Sequence, residues 1–163
     1  MARVGISLGS NLGNRLDNLA QAVRALSRIN SGKHMLLSGV YETTPIDCPE
    51  ESPQFLNAVV EIDVNTTPRE LLTETQGIEA RLGRQEIDVV NAPRPLDIDL
   101  LYFDDISIEE SDLTLPHPRM LERAFVVIPL QEIQPGRCNG ANLELLGQQG
   151  VRKIGESSLL SDQ

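Results

Sequence analysis

Two aspartates alternate with apolar residues in the segment PLDIDLLYF, residues 95–103. If this segment is a β-strand, Asp97 and Asp99 share one face and lie about 7 Å apart along the strand. Strand interiors are depleted in aspartate and like charges repel, so we expect positive charge beside the pair. Magnesium favours carboxylate oxygens together with substrate phosphates, usually with only one or two protein carboxylates. The pair therefore indicates a magnesium–phosphate site, and a strand with a solvated acidic face is the alternative.

The other residues of this predicted strand alternate toward the opposite face. We expect that face to carry the apolar side chains Leu96, Ile98, Leu100 and Tyr102.

Basic side chains flank the aspartate pair in the sequence. Arg84 and Arg94 precede it, and His117 and Arg123 follow it in LPHPRMLERAF. Carboxylates hold metal ions, and arginine and histidine offset the charge of transferring phosphoryl groups. Their combination favours a metal–polyphosphate site over a solvated strand.

Two further pairs of residues could contact a ligand. Phe55 and Asn57 share one face of the strand predicted for FLNAVVEIDV, and a ring beside an amide can stack on a flat heterocycle and bind its edge. An edge-strand pair without a ligand explains them equally well. Gln76 and Glu79 lie three residues apart on a predicted helix, where a solvated polar face is the simpler interpretation.

Periodicity predicts the order β-α-β-β-α-β. The strands are expected at residues 3–8, 35–43, 55–64 and 96–103, and the helices at residues 14–29 and 66–83. Asn14 caps the first helix, and Thr67 with Glu70 forms a capping box on the second. This order is typical of a ferredoxin-like α+β fold, in which helices cover one face of a mostly antiparallel sheet and leave the other face open.

The remainder of the chain gives weaker signals. Residues 123–133 are expected to form a short helix, as one of the helical or hairpin additions that follow the βαββαβ unit. The segment after about residue 140 is expected to be a peripheral appendage or disordered. We expect residues 1–163 to form one domain.

Composition excludes several classes of protein. The chain has 163 residues, 40% of them hydrophobic, and a formal net charge of −10. We expect neither a membrane span nor a signal peptide, because no apolar run reaches membrane-spanning length and MARVGISLGS lacks an apolar core and a small-residue cleavage site. Acidic runs such as DDISIEESD argue against nucleic-acid binding. Cys48 and Cys138 show no CxxC spacing. We expect a cytoplasmic monomer with small-molecule substrates, and no nucleic-acid or membrane partner.

Taken together, the motifs resemble the 6-hydroxymethyl-7,8-dihydropterin pyrophosphokinase family. The resemblance covers about residues 3–135. It rests on SLGSNLG, YETTP, FLNAVV and QGIEARLGR…NAPRPLDIDLLYF…LPHPRMLERAF, of which APRPLDIDLL followed by LPHP is the most specific. It implies a ferredoxin-like fold and transfer of the diphosphoryl group of ATP to the pterin hydroxymethyl group, with release of AMP, in folate biosynthesis.

The resemblance also implies roles for individual residues. Asp97 and Asp99 would hold two magnesium ions, and Arg84 and Arg94 would complete the catalytic set by contacting the phosphates. The remaining residues of the ATP site would be Gln76, Glu79, Leu100, Thr114, His117 and Arg123. On the pterin side, Asn57 would bind the ring edge, Phe55 and Phe125 would enclose the ring, and the backbone of Thr43, Pro45 and Ile46 would contact it.

The glycine-rich turn GSNLG, residues 9–13, looks at first like a phosphate-binding loop. No lysine–serine or lysine–threonine pair follows it, so it is a poor P-loop. In the family that the chain resembles, this turn helps to form the pterin side of the site.

The loop between Arg84 and Arg94 departs from the family pattern. Glu86 and Val90 replace two arginines, and Asn91 replaces a tryptophan. We expect an active enzyme, although the loss of two cations near a triphosphate would allow a slower one. The alternatives are a degenerate homologue that binds pterin or nucleotide without turnover, and a non-enzymatic module whose open sheet binds a protein.

Overall fold

An antiparallel sheet organises the part of the chain that the computed structural model describes, residues 1–43, 54–82 and 95–161. The strands are β1 (Ala2–Ser10), β2 (Met35–Leu37), β3 (Val40–Thr43), β4 (Phe55–Val64), β5 (Asp97–Phe103), β6 (Ile108–Glu109), β7 (Thr114–Leu115) and β8 (Val151–Gly155). The helices are α1 (Arg15–Ile29), α2 (Pro68–Arg81), α3 (Ala124–Ile133), α4 (Leu143–Leu146) and α5 (Ser158–Ser161). Short 3₁₀ turns span Met120–Glu122 and Pro135–Cys138.

The strand order confirms the predicted ferredoxin-like α+β fold. The main sheet has six strands in the order β5-β1-β4-β3-β8, and β2 also pairs with β4. The pairs within it are antiparallel. The segment predicted as one strand over residues 35–43 is split into β2 and β3, because residues 38–39 leave the extended ladder between them.

Both long helices begin where the sequence predicts. The Asn14 side chain accepts a hydrogen bond from the Asp17 N–H at 3.1 Å, and Thr67 and Glu70 form the predicted capping box. These contacts satisfy backbone donors that a helix N-terminus leaves without an intrahelical partner. Within the described ranges, the helices are all too short or too polar to cross a membrane.

The side of the sheet that faces α1 and α2 carries the larger apolar core. Alternate residues of β1, β4 and β5 are fully or almost fully buried there, as period-two alternation predicts. They include Val4, Ile6, Leu8, Leu56, Ala58, Val60, Ile62, Ile98 and Leu100.

The other side of the sheet is partly covered, so the expectation of an open face is wrong. Helix α3 packs against β4, and a second apolar cluster forms between them. Its members include Val59, Leu101, Met120, Val127 and Leu130. The physical reason is that α3, AFVVIPLQEI, is too apolar to remain in solvent and buries its surface on this side of the sheet.

The placement of Tyr102 also differs from the prediction. The pairing of β1 with β5 shifts between Gly5, which faces Tyr102, and Ile6, which faces Leu100. Leu101 is therefore an extra residue, a β-bulge, and both Leu101 and Tyr102 lie on the α3 side. There the Tyr102 hydroxyl donates to buried Glu61. Strict alternation cannot anticipate a bulge, which is why the sequence placed Tyr102 with Ile98 and Leu100.

The segment after residue 140 adds to the fold. Strand β8 pairs with β3 and extends the sheet by one strand, and α5 packs against α1. Leu160 of α5 is 1% exposed and belongs to the larger core. The described part of this segment is therefore ordered and contributes to the core.

Candidate active site

The antiparallel register brings the ends of three strands, β1, β4 and β5, together. Asn57 of β4 and Asp97 of β5 both lie opposite Gly9 of β1, and Asp99 lies opposite Ser7. Since neighbouring strands are about 5 Å apart, the backbones of Asn57 and Asp97 are separated by about 10 Å across the glycine. We call the group Gly9, Phe55, Asn57, Asp97 and Asp99, on the α3 side of the sheet, the site face.

Gly9 leaves room for the side chains beside it. A Cβ atom at this position would lie 3.0 Å from Asn57 Nδ2 and 3.3 Å from Phe55 Cδ1, tighter than ordinary van der Waals contact. The first glycine of the GSNLG turn therefore leaves space above β1 for an aromatic ring and an amide from β4. This explains the glycine without a phosphate-binding role.

A buried hydrogen bond orients the Asn57 amide. The Thr43 hydroxyl donates to Asn57 Oδ1 at 2.7 Å, and the two residues are 3% exposed. Because Oδ1 accepts this bond, Nδ2 is the end of the amide that faces Gly9. The site face therefore presents amide donors beside the Phe55 ring.

The two aspartates lie on the face of β5 opposite to Ile98, as predicted, and this is the side of the sheet that α3 partly covers. Both are partly exposed, whereas Ile98 between them is buried in the opposite core. The Glu79 carboxylate, 8% exposed, accepts the Ile98 N–H at 2.8 Å and so fixes the start of the strand. Glu79 is thus a buried support of β5, not part of the solvated helix face that was the simpler interpretation.

The donor set of the aspartate pair suits magnesium. Two carboxylates separated by one residue can supply oxygen ligands while substrate phosphates and water complete the coordination. Across residues 1–43, 54–82 and 95–161, no group of three or more His, Cys, Asp or Glu side chains could hold a metal ion alone. The pair offers carboxylate oxygens of the kind that magnesium takes together with substrate phosphates.

His117 is held beside the outer edge of β5. The backbone N–H of His117 donates to the Leu101 carbonyl at 2.7 Å, and the ring Nδ1 accepts the backbone N–H of Arg119 at 3.2 Å. The neutral ring must then carry its proton on Nε2, which can donate to an anion. Burial lowers the pKa of His117, and Arg123 and Arg119 lower it further, against an opposing effect of Asp97.

Arg123 and Phe125 flank the first residue of α3. The Arg123 guanidinium lies 5.5 Å from the centre of the Phe125 ring, within the range of a cation–π contact. Burial and Arg119 lower the pKa of Arg123, while Asp99 and Asp97 act in the opposite direction. Arg123 is therefore a partly desolvated cation within electrostatic range of both aspartates.

Three further predicted ATP-site residues are not members of the group defined here as the site face. The Leu100 side chain is 5% exposed and packs in the core on the opposite side of the sheet, which its alternation with Asp99 requires. Gln76 is exposed on α2, and Thr114 is half-buried on β7, where its hydroxyl donates to the Glu110 carbonyl. The Leu100 side chain is therefore separated from the aspartate pair by the sheet, and the ATP-site roles of Gln76 and Thr114 stay predictions.

Four predicted site residues lie outside the described residues. They are Pro45 and Ile46 of the loop after β3, and Arg84 and Arg94 before β5. The departures Glu86, Val90 and Asn91 lie there as well, so the roles assigned to these positions remain predictions.

Arg119 is a further candidate site residue that the sequence does not single out. Its N–H fixes the His117 ring, and its charge lowers the pKa of both His117 and Arg123. The signal was present as a third basic residue in HPRMLER, but a cation on an irregular segment has no periodicity that shows which way it faces.

Solved structures place this arrangement in a known class of fold. The chain matches a crystal structure described as "HPPK-DHPS in complex with substrates" with a TM-score of 0.63 and 16% identity, over 90% of this chain and 43% of that one. A Plasmodium falciparum HPPK-DHPS structure matches with a TM-score of 0.66 and 15% identity, over 90% and 43%. At this identity the likeness establishes the fold alone.

Sequence relatives define the family. The family model of 7,8-dihydro-6-hydroxymethylpterin-pyrophosphokinase matches residues 5–135. The 2-amino-4-hydroxy-6-hydroxymethyldihydropteridine pyrophosphokinase of Bacillus subtilis is 44% identical over 90% of this chain and 87% of that protein. The chain therefore belongs to the 7,8-dihydro-6-hydroxymethylpterin-pyrophosphokinase family.

The chain also matches one part of longer proteins. A mitochondrial folate synthesis bifunctional protein of Arabidopsis thaliana is 39% identical over 80% of this chain, which spans only 23% of that protein. The chain therefore corresponds to less than a quarter of the length of that protein.

Proposed function

We propose that this protein transfers the diphosphoryl group of ATP to the hydroxymethyl group of 6-hydroxymethyl-7,8-dihydropterin and releases AMP. The observation that carries the proposal is the register at Gly9, which has Asn57 on one side and Asp97 on the other. One face of the sheet thus offers an amide for a heterocycle and carboxylates for a metal-bound polyphosphate, about 10 Å apart at the backbone.

The pterin would lie over the Gly9 side of the site face. The Asn57 amide, oriented by Thr43, can donate to the edge of the ring, and Phe55 can stack on one side of it. Phe125, at the start of α3, is the candidate for the opposite wall. The backbone of Thr43, Pro45 and Ile46 is proposed to complete this subsite.

The triphosphate would lie beside β5. Asp97 and Asp99 would hold magnesium, which supplies charge neutralisation and alignment of the phosphates when bound. Arg123 would add a positive charge near the aspartates, and the Nε2–H of His117 would add a hydrogen-bond donor beside β5. Arg84 and Arg94 are proposed to contact the phosphates from the segment before β5.

The reaction needs positioning more than proton chemistry. The pterin hydroxyl must stand in line with the β-phosphorus, with AMP as the leaving group. Asn57 and the aromatic side chains fix the nucleophile, while the charged groups beside β5 fix the phosphates and offset the charge that develops. No residue is assigned as a general base.

The test is AMP release from ATP and magnesium, measured with and without 6-hydroxymethyl-7,8-dihydropterin. We expect AMP that depends on both the pterin and magnesium. Asp97→Asn and Asp99→Asn should each lower kcat/KM by about a hundredfold or more, because several kcal/mol of charge stabilisation depend on the metal. Asp105→Asn is the matched control, since its side chain is 97% exposed, and its activity should equal wild type.

Other products would identify the alternatives. ADP instead of AMP would mean that attack occurs at a different phosphorus. Binding of both ligands without any nucleotide product would indicate a degenerate homologue, and a large gain on introducing Glu86→Arg and Val90→Arg would support that alternative. Failure to bind nucleotide with magnesium would favour the non-enzymatic module.

A further inference from the structure

The N-terminus of α3 lacks the cap that a helix usually receives from its own sequence. Arg123 occupies the N-cap position and makes no side-chain capping hydrogen bond. Its guanidinium lies instead 5.5 Å from the centre of the Phe125 ring. The next residue, Ala124, is fully buried, so its N–H needs a partner that water cannot supply.

Gln149, from the segment after residue 140, supplies that partner. Its Oε1 accepts the Ala124 N–H at 3.0 Å, and its Nε2 donates to the Glu122 carbonyl at 3.0 Å. A backbone N–H can only donate and a carbonyl can only accept, so these two bonds fix the orientation of the amide. Through these two bonds Gln149 is linked to the residue before Arg123 and to the residue after it, and it therefore fixes the backbone position of Arg123.

Gln149 is itself held between two ordered elements. Its N–H donates to the carbonyl of Leu146, which is 3% exposed and packs in the apolar cluster with α3. Gly150 then turns the chain with φ of 63°, and Val151 pairs with Thr43. A single short segment thus contacts the strand residue that orients Asn57 and the helix start that carries Arg123 and Phe125.

We propose that Gln149 is a positioning residue for the reaction, acting through the backbone of residues 122–124 to place the side chains of Arg123 and Phe125. This inference rests on the proposed function. Gln149 lies beyond residues 5–135, the range that the family model matches. The side-chain amide of Gln149 is needed because Arg123, the N-cap residue of α3, has only donor groups and cannot accept a backbone N–H of its own helix.

The test compares Gln149→Met with Gln148→Ala in the full chain. Methionine keeps the length of the side chain and removes both hydrogen bonds, whereas Gln148 is the exposed neighbouring glutamine. We expect Q149M to lower kcat about tenfold and to raise the KM for pterin several-fold, since small misplacements of positioning groups have large kinetic effects. Q148A should retain the wild-type constants. Gln149→Glu keeps an oxygen for Ala124 and loses the donor, so its constants should fall between those of Q149M and wild type.

A second readout separates this inference from the proposed function. Hydrogen exchange of the Ala124 amide, followed by NMR, should be faster in Q149M than in wild type and Q148A. An active wild type whose kinetic constants are unchanged within twofold in Q149M overturns the inference, even if Q149M melts at a lower temperature. An inactive wild type overturns the proposed function, and faster Ala124 exchange in Q149M would still support the positioning of α3. If Q149M does not fold, Q149E decides: reduced kcat/KM supports the inference, and wild-type constants overturn it.

Discussion

Single residues of the site face depend on partners that are distant in the sequence. The alternation of β4 predicts that Asn57 and Phe55 share a face, and the structure confirms it. The sequence does not reveal that the Thr43 hydroxyl fixes the Asn57 amide, because that contact depends on the register between β3 and β4. Residue types therefore identify the candidate ligand contacts, and the sheet register determines which atoms they present.

Replacement of Asn57 by alanine tests the heterocycle-binding end of the site face. The change removes the oriented amide and leaves the buried Thr43 hydroxyl without its acceptor. We expect kcat/KM for the pterin to fall by about ten- to hundredfold. Steady-state kinetics at saturating ATP and magnesium would measure it.

Asn65→Ala is the control, because Asn65 is exposed just beyond the other end of the same strand. It should behave like wild type. Unchanged kcat/KM in N57A would remove Asn57 from the site.

Elements with strong local signals were predicted well, and elements shaped by tertiary packing were not. The caps of α1 and α2 and the bounds of β4 follow from local chemistry and alternation. The bulge at Leu101 and the covering of the sheet by α3 do not, since both depend on how separate apolar surfaces meet. The bulge is the reason that Tyr102 is on the opposite side from its predicted position.

The close approach of β1 and Tyr102 gives a prediction about stability. A Cβ atom at Gly5 would overlap the Tyr102 ring, which is buried and bonded to Glu61. We expect Gly5→Ala to lower the free energy of unfolding by about 1–3 kcal/mol through overpacking. Urea denaturation monitored by circular dichroism would measure the change.

Gly77→Ala is the control, and we expect it to change the free energy of unfolding in the opposite direction. Its Cβ would approach only the end of Arg81, at 3.9 Å, and Gly77 lies inside α2. Alanine there should raise the free energy of unfolding by about 0.5–1 kcal/mol. Equal effects of the two substitutions would contradict the packing described around Tyr102.

At the scale of the whole molecule, the segment after residue 140 is where sequence reasoning was weakest. Its elements α4, β8 and α5 are four or five residues long, too short for periodicity to identify. The sheet edge and the α1 surface that receive them determine their structure. Their contacts give this segment a role in the fold that its own sequence does not show.

Leu160 tests whether that segment stabilises the molecule. The side chain is 1% exposed in the larger core, so Leu160→Ala should lower the free energy of unfolding by about 2–5 kcal/mol. Leu145→Ala is the matched control, because Leu145 is 57% exposed and should change stability by less than about 0.5 kcal/mol. Thermal and urea unfolding of both variants would decide, and a wild-type stability for L160A would mean that α5 is dispensable.

The position of β1 in the sheet has a consequence for folding during synthesis. β1 pairs with β4 on one side and β5 on the other, and Gly9 meets Asp97, a residue that the ribosome adds 88 positions later. Contacts of such separation form slowly, because a long loop must close before they contribute any stability. The nascent chain must therefore keep its first strand unpaired on one edge until residue 103 has emerged, and the site face can assemble only after that point.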